Sequence, residues 1–230
     1  FDKNAETLGV VIKRDFDVAM FVEGNSYTSE NVMTFDDVIE RSQFTIIGSV
    51  DEHSNIKFDY KSSIYHREIH SEFNLLDSGE LSSRNYNLTG VKEIVKSGRQ
   101  PQCGGFCFTF YAFDLKKPDR TILNDDLKKF IKENFVYVLR DGLRVYPYGE
   151  PGVDWLDKKR STIKAGQFIS YNDLTGFVYI TQEHNSKLKD ASNRQGIVNT
   201  DGAYDDFRNL VTAVTEIFNA EIKIDMNSGD

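Results

Sequence analysis

Residues 105–114, GFCFTFYAFD, decide how this chain folds. Phe106, Phe108 and Phe110 alternate with Cys107, Thr109 and Tyr111, the period of two that sends successive side chains to opposite faces of a strand. A strand face made of phenylalanine needs an apolar layer to cover it. Two amphipathic stretches qualify. From Tyr204 to Phe218, Phe207, Leu210, Val211, Val214, Ile217 and Phe218 recur at the spacing of one helical face. From Asn124 onward, an asparagine cap precedes Asp125 and Asp126, acids that suit a first helical turn. Leu127, Phe130 and Ile131 then form the apolar stripe, with Lys128, Lys129 and Lys132 outside it. Aromatic strands interleaved with amphipathic helices make the expected class α+β.

Further strand patterns flank this centre. Val136 to Leu139 and Leu143 to Tyr146 surround Asp141-Gly142, a strong hairpin signal. Gly176 to Thr181 closes a last apolar run that begins at Leu174. Upstream, Gln43 to Val50 and Ile56 to Tyr60 are strand-like around the turn-rich DEHSN, and His66 to Leu75 extends the same sheet. Residues 15–22 alternate as a strand with Gly24-Asn25 as its turn, and Thr34 to Arg41 reads as a short helix capped by Thr34. Between Asp77 and Gln102 no period holds, so this stretch is expected to be irregular and to be the internal seam.

Aromatic residues at 13% place the chain among folding proteins, not disordered ones. A net charge of −8 argues against a general binder of nucleic acid or anionic membranes. No apolar run approaches the length of a membrane span, which points to a cytoplasmic protein without a membrane partner. The opening Phe1 and the polar close MNSGD make a segment of a longer protein the expectation.

The stretch His184 to Val198, HNSKLKDASNRQGIV, is too polar to pack as strand or helix. It lies between the last strand and the last helix, where a polar loop on rigid supports carries residues that must reach a ligand. At its centre Asn193, Arg194 and Gln195 precede Gly196, a planar cation set beside a conformationally free residue.

Several motifs recur in an order that resembles one superfamily. VYVLRDGLRVYPYGEPGVDWL, then GFVYITQEHNSKLKDASNRQG, then YDDFRNLVTAV are similar to the segment that follows the ATP-binding domain in GHKL ATPases. The likeness is greatest to bacterial members related to the heat-shock chaperone and to MORC proteins, and is clearest from Gly104 to Phe218. The resemblance implies a transducer domain with the fold of ribosomal protein S5 domain 2, a mixed sheet with packed helices. It further implies that Arg194 serves catalysis by reaching the γ-phosphate of ATP bound with Mg2+ in a preceding domain. Asn193, Gln195 and Gly196 would complete that contact. The partner so implied is the protein's own N-terminal ATP-binding domain, with homodimerisation of the full-length protein as a family habit. Nucleic acid as a partner is left open.

The nucleotide site itself is missing from the sequence. No helix carries a glutamate and an asparagine on one face, since Glu23 and Asn25 are wrongly spaced. No Asp-x-Gly-x-Gly run occurs, and SGELSSRNYNLTG is too poor in glycine for a phosphate lid. The chain is therefore expected to be inactive alone. Its organisation reads as a β-rich portion (1–102), a transducer domain (103–224) and a polar tail (225–230).

Other candidates read as structural. Cys103 and Cys107 lack the further ligands a zinc site needs, and Cys107 is expected to be a buried thiol. His66 and His70 have zincin spacing, but they sit in a strand pattern without the accompanying glutamate. Asp154-Trp155 with Lys158, Lys159 and Arg160 is either a docking patch or a turn pinned by one buried indole. The reading from a different class is a non-enzymatic module that binds protein or nucleic acid through the sheet.

Overall fold

Phe106, Phe108 and Phe110 are each exposed by 3% or less, and the strand that carries them is the middle one of a seven-stranded sheet. The computed structural model describes residues 20–22, 25–27, 39–114, 125–157, 173–192 and 196–228. Strands β1 (Met20–Val22) and β2 (Asn25–Tyr27) form a separate antiparallel hairpin with Val22 opposite Asn25. Residues 15–19, and all of the expected Thr34–Arg41 helix before Ile39, lie outside the described residues.

The main sheet opens with β3 (Phe44–Val50), β4 (Asn55–Ser62) and β5 (Arg67–Asn74), an antiparallel meander. Helices α1 (Ser78–Ser83) and α2 (Thr89–Ser97) follow, then the aromatic strand β6 (Phe106–Ala112). Helix α3 (Asp125–Glu133) leads into β7 (Val136–Arg140) and the short β8 (Leu143–Arg144), and β9 (Leu174–Ile180) ends the sheet in chain order. Spatially the order is β5-β4-β3-β6-β9-β7-β8. All neighbours run antiparallel except β7 and β9, so the sheet is mixed. Because β3 pairs with β6 along its whole length, one sheet spans both sides of residue 102.

A two-stranded hairpin, β10 (Leu188–Asp190) and β11 (Ile197–Asn199), precedes the final helix α4 (Ala203–Ser228). All six apolar residues read as the core face of that helix are buried. Its start packs Phe207 edge-on against Phe106, and further along Phe218 meets Tyr60, so α4 backs the sheet from β6 to β4. The helix continues to Ser228 with Asp225 only 2% exposed, so most of the polar tail expected at 225–230 is helical.

The stretch expected to be irregular, 77–102, instead holds α1 and α2. Asp77 caps α1 by accepting from the backbone N–H of Gly79 and Glu80 at 2.8 and 3.2 Å. At its N-terminus helix α2 has no side-chain cap from its own N-cap residue, Leu88. Glu216 of α4 supplies one, accepting from the Thr89 backbone N–H at 2.8 Å and from its hydroxyl. A Cβ on Gly90 would fall 2.1 Å from the carbonyl oxygen of Asn209, so glycine is what lets α2 press directly on the backbone of α4. Two short helices with few buried residues give too few turns for a period to show.

The expectation that Cys107 is a buried thiol needs correction. Cys107 is exposed, because it points away from the phenylalanine face that α4 covers, whereas Cys103 is buried in the approach to β6.

Near its end, α4 encloses charge. Glu221 and Asp225, one helical turn apart, are 4% and 2% exposed. Tyr86 donates its hydroxyl proton to Glu221 and Tyr60 donates to Asp225. Arg67 reaches both acids, at 2.6 Å to Glu221 Oε2 and 2.8 Å to Asp225 Oδ1. Burial, and then the hydrogen-bonded carboxylates, push both phenols well above their ordinary range. A phenol with a folded-state pKa above its unfolded value stabilises fully below the unfolded pKa of about 10. That contribution is lost as pH rises from there towards the folded-state pKa. Stability is therefore expected to fall above about pH 10 by up to about 1.4 kcal/mol per pH unit for each such tyrosine. Urea midpoints across the alkaline range check this, and the double variant Tyr60→Phe/Tyr86→Phe should show a shallower fall.

Candidate functional site

The polar stretch that leaves β9 is built as an arm with an anchored base. Asn185, 2% exposed, holds that base: its Nδ2 donates to the carbonyls of Cys103 at 2.7 Å and Gly105 at 2.9 Å, and its Oδ1 accepts from the Thr181 N–H at 2.9 Å. The Lys187 ammonium donates to Gln102 Oε1. The expectation that 184–198 is too polar to pack needs correction here. Leu188 and Ile197 are 2% and 8% exposed, and the segments that carry them pair as β10 and β11, with Asp190 opposite Ile197. Two apolar side chains are enough because each sits in a core already closed by other elements.

Next to the paired residues, the Ala191 N–H donates to the Gly196 carbonyl at 2.9 Å, a further tie between the two legs of the arm. Gly196 takes φ 101°, a left-handed backbone that a residue with Cβ adopts only under strain. Asn193, Arg194 and Gln195 lie outside the described residues.

Both legs of the arm touch the β7–β8 turn or the segment just beyond it. Arg140, at the end of β7, pairs with Asp190 Oδ1 at 2.5 Å and donates to the Leu188 carbonyl. The Tyr148 hydroxyl accepts from the Ile197 N–H at 2.9 Å. Tyr148 is in turn set edge-on to Trp155 at 5.2 Å. These anchors escaped the sequence reading, which singled out Arg140 only as part of a motif and Tyr148 not at all.

Comparison with protein-family models, curated proteins and solved structures returns no match. The site is therefore read from its own chemistry.

Of the two readings of Trp155, the pinned turn is the one observed. Its indole N–H donates to the Val136 carbonyl at 2.9 Å and its ring stacks on Phe207. Lys158, Lys159 and Arg160 lie outside the described residues.

His70 faces Asp59 at 2.8 Å on the exposed side of β4 and β5, while His66 occupies the preceding turn at φ 53°. Among the described residues, no group of three or more His, Cys, Asp or Glu is placed to hold a metal ion. Cys103 is buried, and that burial, with the nearby Asp206 carboxylate, pushes its thiol up to about 12, which favours the unreactive thiol over the thiolate. Among the described residues, no helix is long and apolar enough to cross a membrane.

Proposed function

We propose that this chain is the transducer region of a GHKL-type ATPase, and that its arm carries Arg194 to the γ-phosphate of ATP held with Mg2+ by a preceding domain. One observation carries the reading. The residues expected to meet phosphate, 193–195, are bracketed in sequence by β10 and β11, two paired strands that are each anchored to the rest of the chain. The mixed sheet backed by a long helix is compatible with the S5 domain 2-like fold that the motif resemblance implies.

The chemistry comes from charge. Negative charge on the phosphoryl oxygens must be stabilised as the terminal phosphate departs, and a guanidinium can meet two of those oxygens together. Because the cation arrives from a second domain, it completes the site only when the two domains close over nucleotide. Hydrolysis is thereby coupled to a change in domain arrangement. The Mg2+ ligands belong to the preceding domain in this scheme.

In the protein that contains both domains, Arg194→Ala is expected to lower kcat for ATP hydrolysis several hundred-fold, the ~3–4 kcal/mol that one lost transition-state donor removes. KM for ATP should change little, since most of the nucleotide is held elsewhere. Steady-state kinetics decide the matter. A kcat equal to that of the unsubstituted protein would remove Arg194 from the reaction and the proposal with it.

A further inference from the structure

The segment 140–148, RDGLRVYPY, holds a turn at Asp141-Gly142, whose backbone takes φ 49° and 80°. Neither a buried arginine at 140 nor a tyrosine at 148 is required by it. We infer that this segment is the socket of the arm, with Arg140 and Tyr148 as positioning residues that fix its two legs, β10 and β11.

Arg140 is 8% exposed, an environment a guanidinium enters only against compensation. Its compensation comes from the first leg of the arm, through the Asp190 carboxylate at 2.5 Å and the Leu188 carbonyl. Its Nε has no partner, so the hydrogen bonds described for this side chain all go to β10. Tyr148 serves the other leg. Its hydroxyl takes the Ile197 N–H, and Gly196 lies so close that a Cβ there would sit 3.2 Å from the same oxygen. The tyrosine ring is held between Trp155 and Tyr204, at centroid distances of 5.2 and 6.2 Å.

The two grips fall at matching places. Asp190 is the last residue of β10 and Ile197 the first of β11, and the two face each other across the hairpin. Asp141 adds a third tie at the root of the arm. Its N–H donates to the Ile180 carbonyl and its carboxylate accepts from the Gln182 N–H, both at 3.1 Å. One short segment thus sets the root and both legs of the arm. A group that acts on a reacting phosphate must be placed closely, since a displacement of about 1 Å costs about a hundredfold in rate. The catalytic consequence rests on the proposed function, whereas the grip rests on these contacts alone.

Two conservative variants test the socket. Tyr148→Phe keeps the ring and removes the hydroxyl. Asp190→Asn removes the charge from a half-exposed side chain and leaves an acceptor for Arg140. In the 230-residue chain, amide hydrogen exchange at Ile197 should accelerate at least about tenfold in Tyr148→Phe while α4 keeps its protection. Unchanged exchange at Ile197 overturns the grip. In the two-domain ATPase, each variant should lower kcat about tenfold, leave KM for ATP within about twofold, and add no further loss in an Arg194→Ala background. A further loss in that background, or full kcat in both variants where Arg194→Ala is slow, overturns the positioning role and leaves Arg194 in place. Full kcat in all three overturns the ATPase reading, and the exchange result then judges the grip by itself.

Discussion

Phe207→Ala is expected to destabilise the chain by about 4–5 kcal/mol, near the top of the range for removing a buried phenylalanine. The side chain is fully buried at the point where sheet, turn and helix meet. It meets Phe106 of β6 edge-on at 5.5 Å and lies flat on Trp155 at 5.8 Å, with 13° between the rings. Alanine would forfeit both ring contacts and leave a cavity beneath the first turns of α4. The surrounding groups have little freedom to fill it, since Trp155 is also held by its hydrogen bond to the Val136 carbonyl. Urea denaturation measures the loss as a lower midpoint at an unchanged slope. Trp155 is the only tryptophan in the chain, so its fluorescence reports on this cavity directly, and its emission should shift to the red in the folded variant. A loss below about 1.5 kcal/mol would mean that the site collapses freely and that the start of α4 is not locked to the sheet.

Arg67→Met is expected to destabilise by about 3–5 kcal/mol, through a different mechanism. The arginine is the cation shared by two buried acids, Glu221 and Asp225, and it also donates to the Glu221 carbonyl at 3.3 Å. Methionine preserves much of the apolar stem that packs over the Tyr60 ring. It leaves two carboxylates out of water with tyrosine hydroxyls as their remaining polar partners here. Arg67 itself is 30% exposed, so partial hydration of the site places the expectation at the lower end of that range. The triple variant Arg67→Met/Glu221→Gln/Asp225→Asn separates the causes. Its amides still accept from Tyr60 and Tyr86 but carry no charge, and it should recover more than half of the single variant's loss. If the triple variant is the less stable of the two, uncompensated charge is not what the single substitution exposes.

Local pattern made much of this fold legible. Alternation from Phe106 to Tyr111 identified the central strand and its buried face, because a strand exposes its two faces to different neighbours at every step. The apolar face from Phe207 to Phe218 identified the helix that covers it, and Asp141-Gly142 identified the hairpin between β7 and β8. In the candidate site, the polar run around Arg194 stood out because it sits between two strongly patterned elements.

Other features depended on residues distant in sequence. Helix α2 is capped by Glu216, which lies beyond β6 to β9 in chain order, and no window around Thr89 contains that carboxylate. Cys107 is exposed against the expectation because only the position of α4 decides which side of β6 is covered. The arm looked structureless because Leu188 and Ile197 are lone apolar residues in a polar run, and only the assembled core supplies the surface they pack on.

Local sequence was enough to set most of the strands and the long helix, and the faces they bury. Periodicity arises from the geometry of each element and needs no partner. Contacts made only in the folded chain settle what caps, neutralises and holds: the Glu216 cap, the Arg67 pair of acids, and the grip of Arg140 and Tyr148 on the arm. Each of these joins polar groups whose pairing depends on distance in space, and a buried donor or charge is stable only where the folded chain brings its partner.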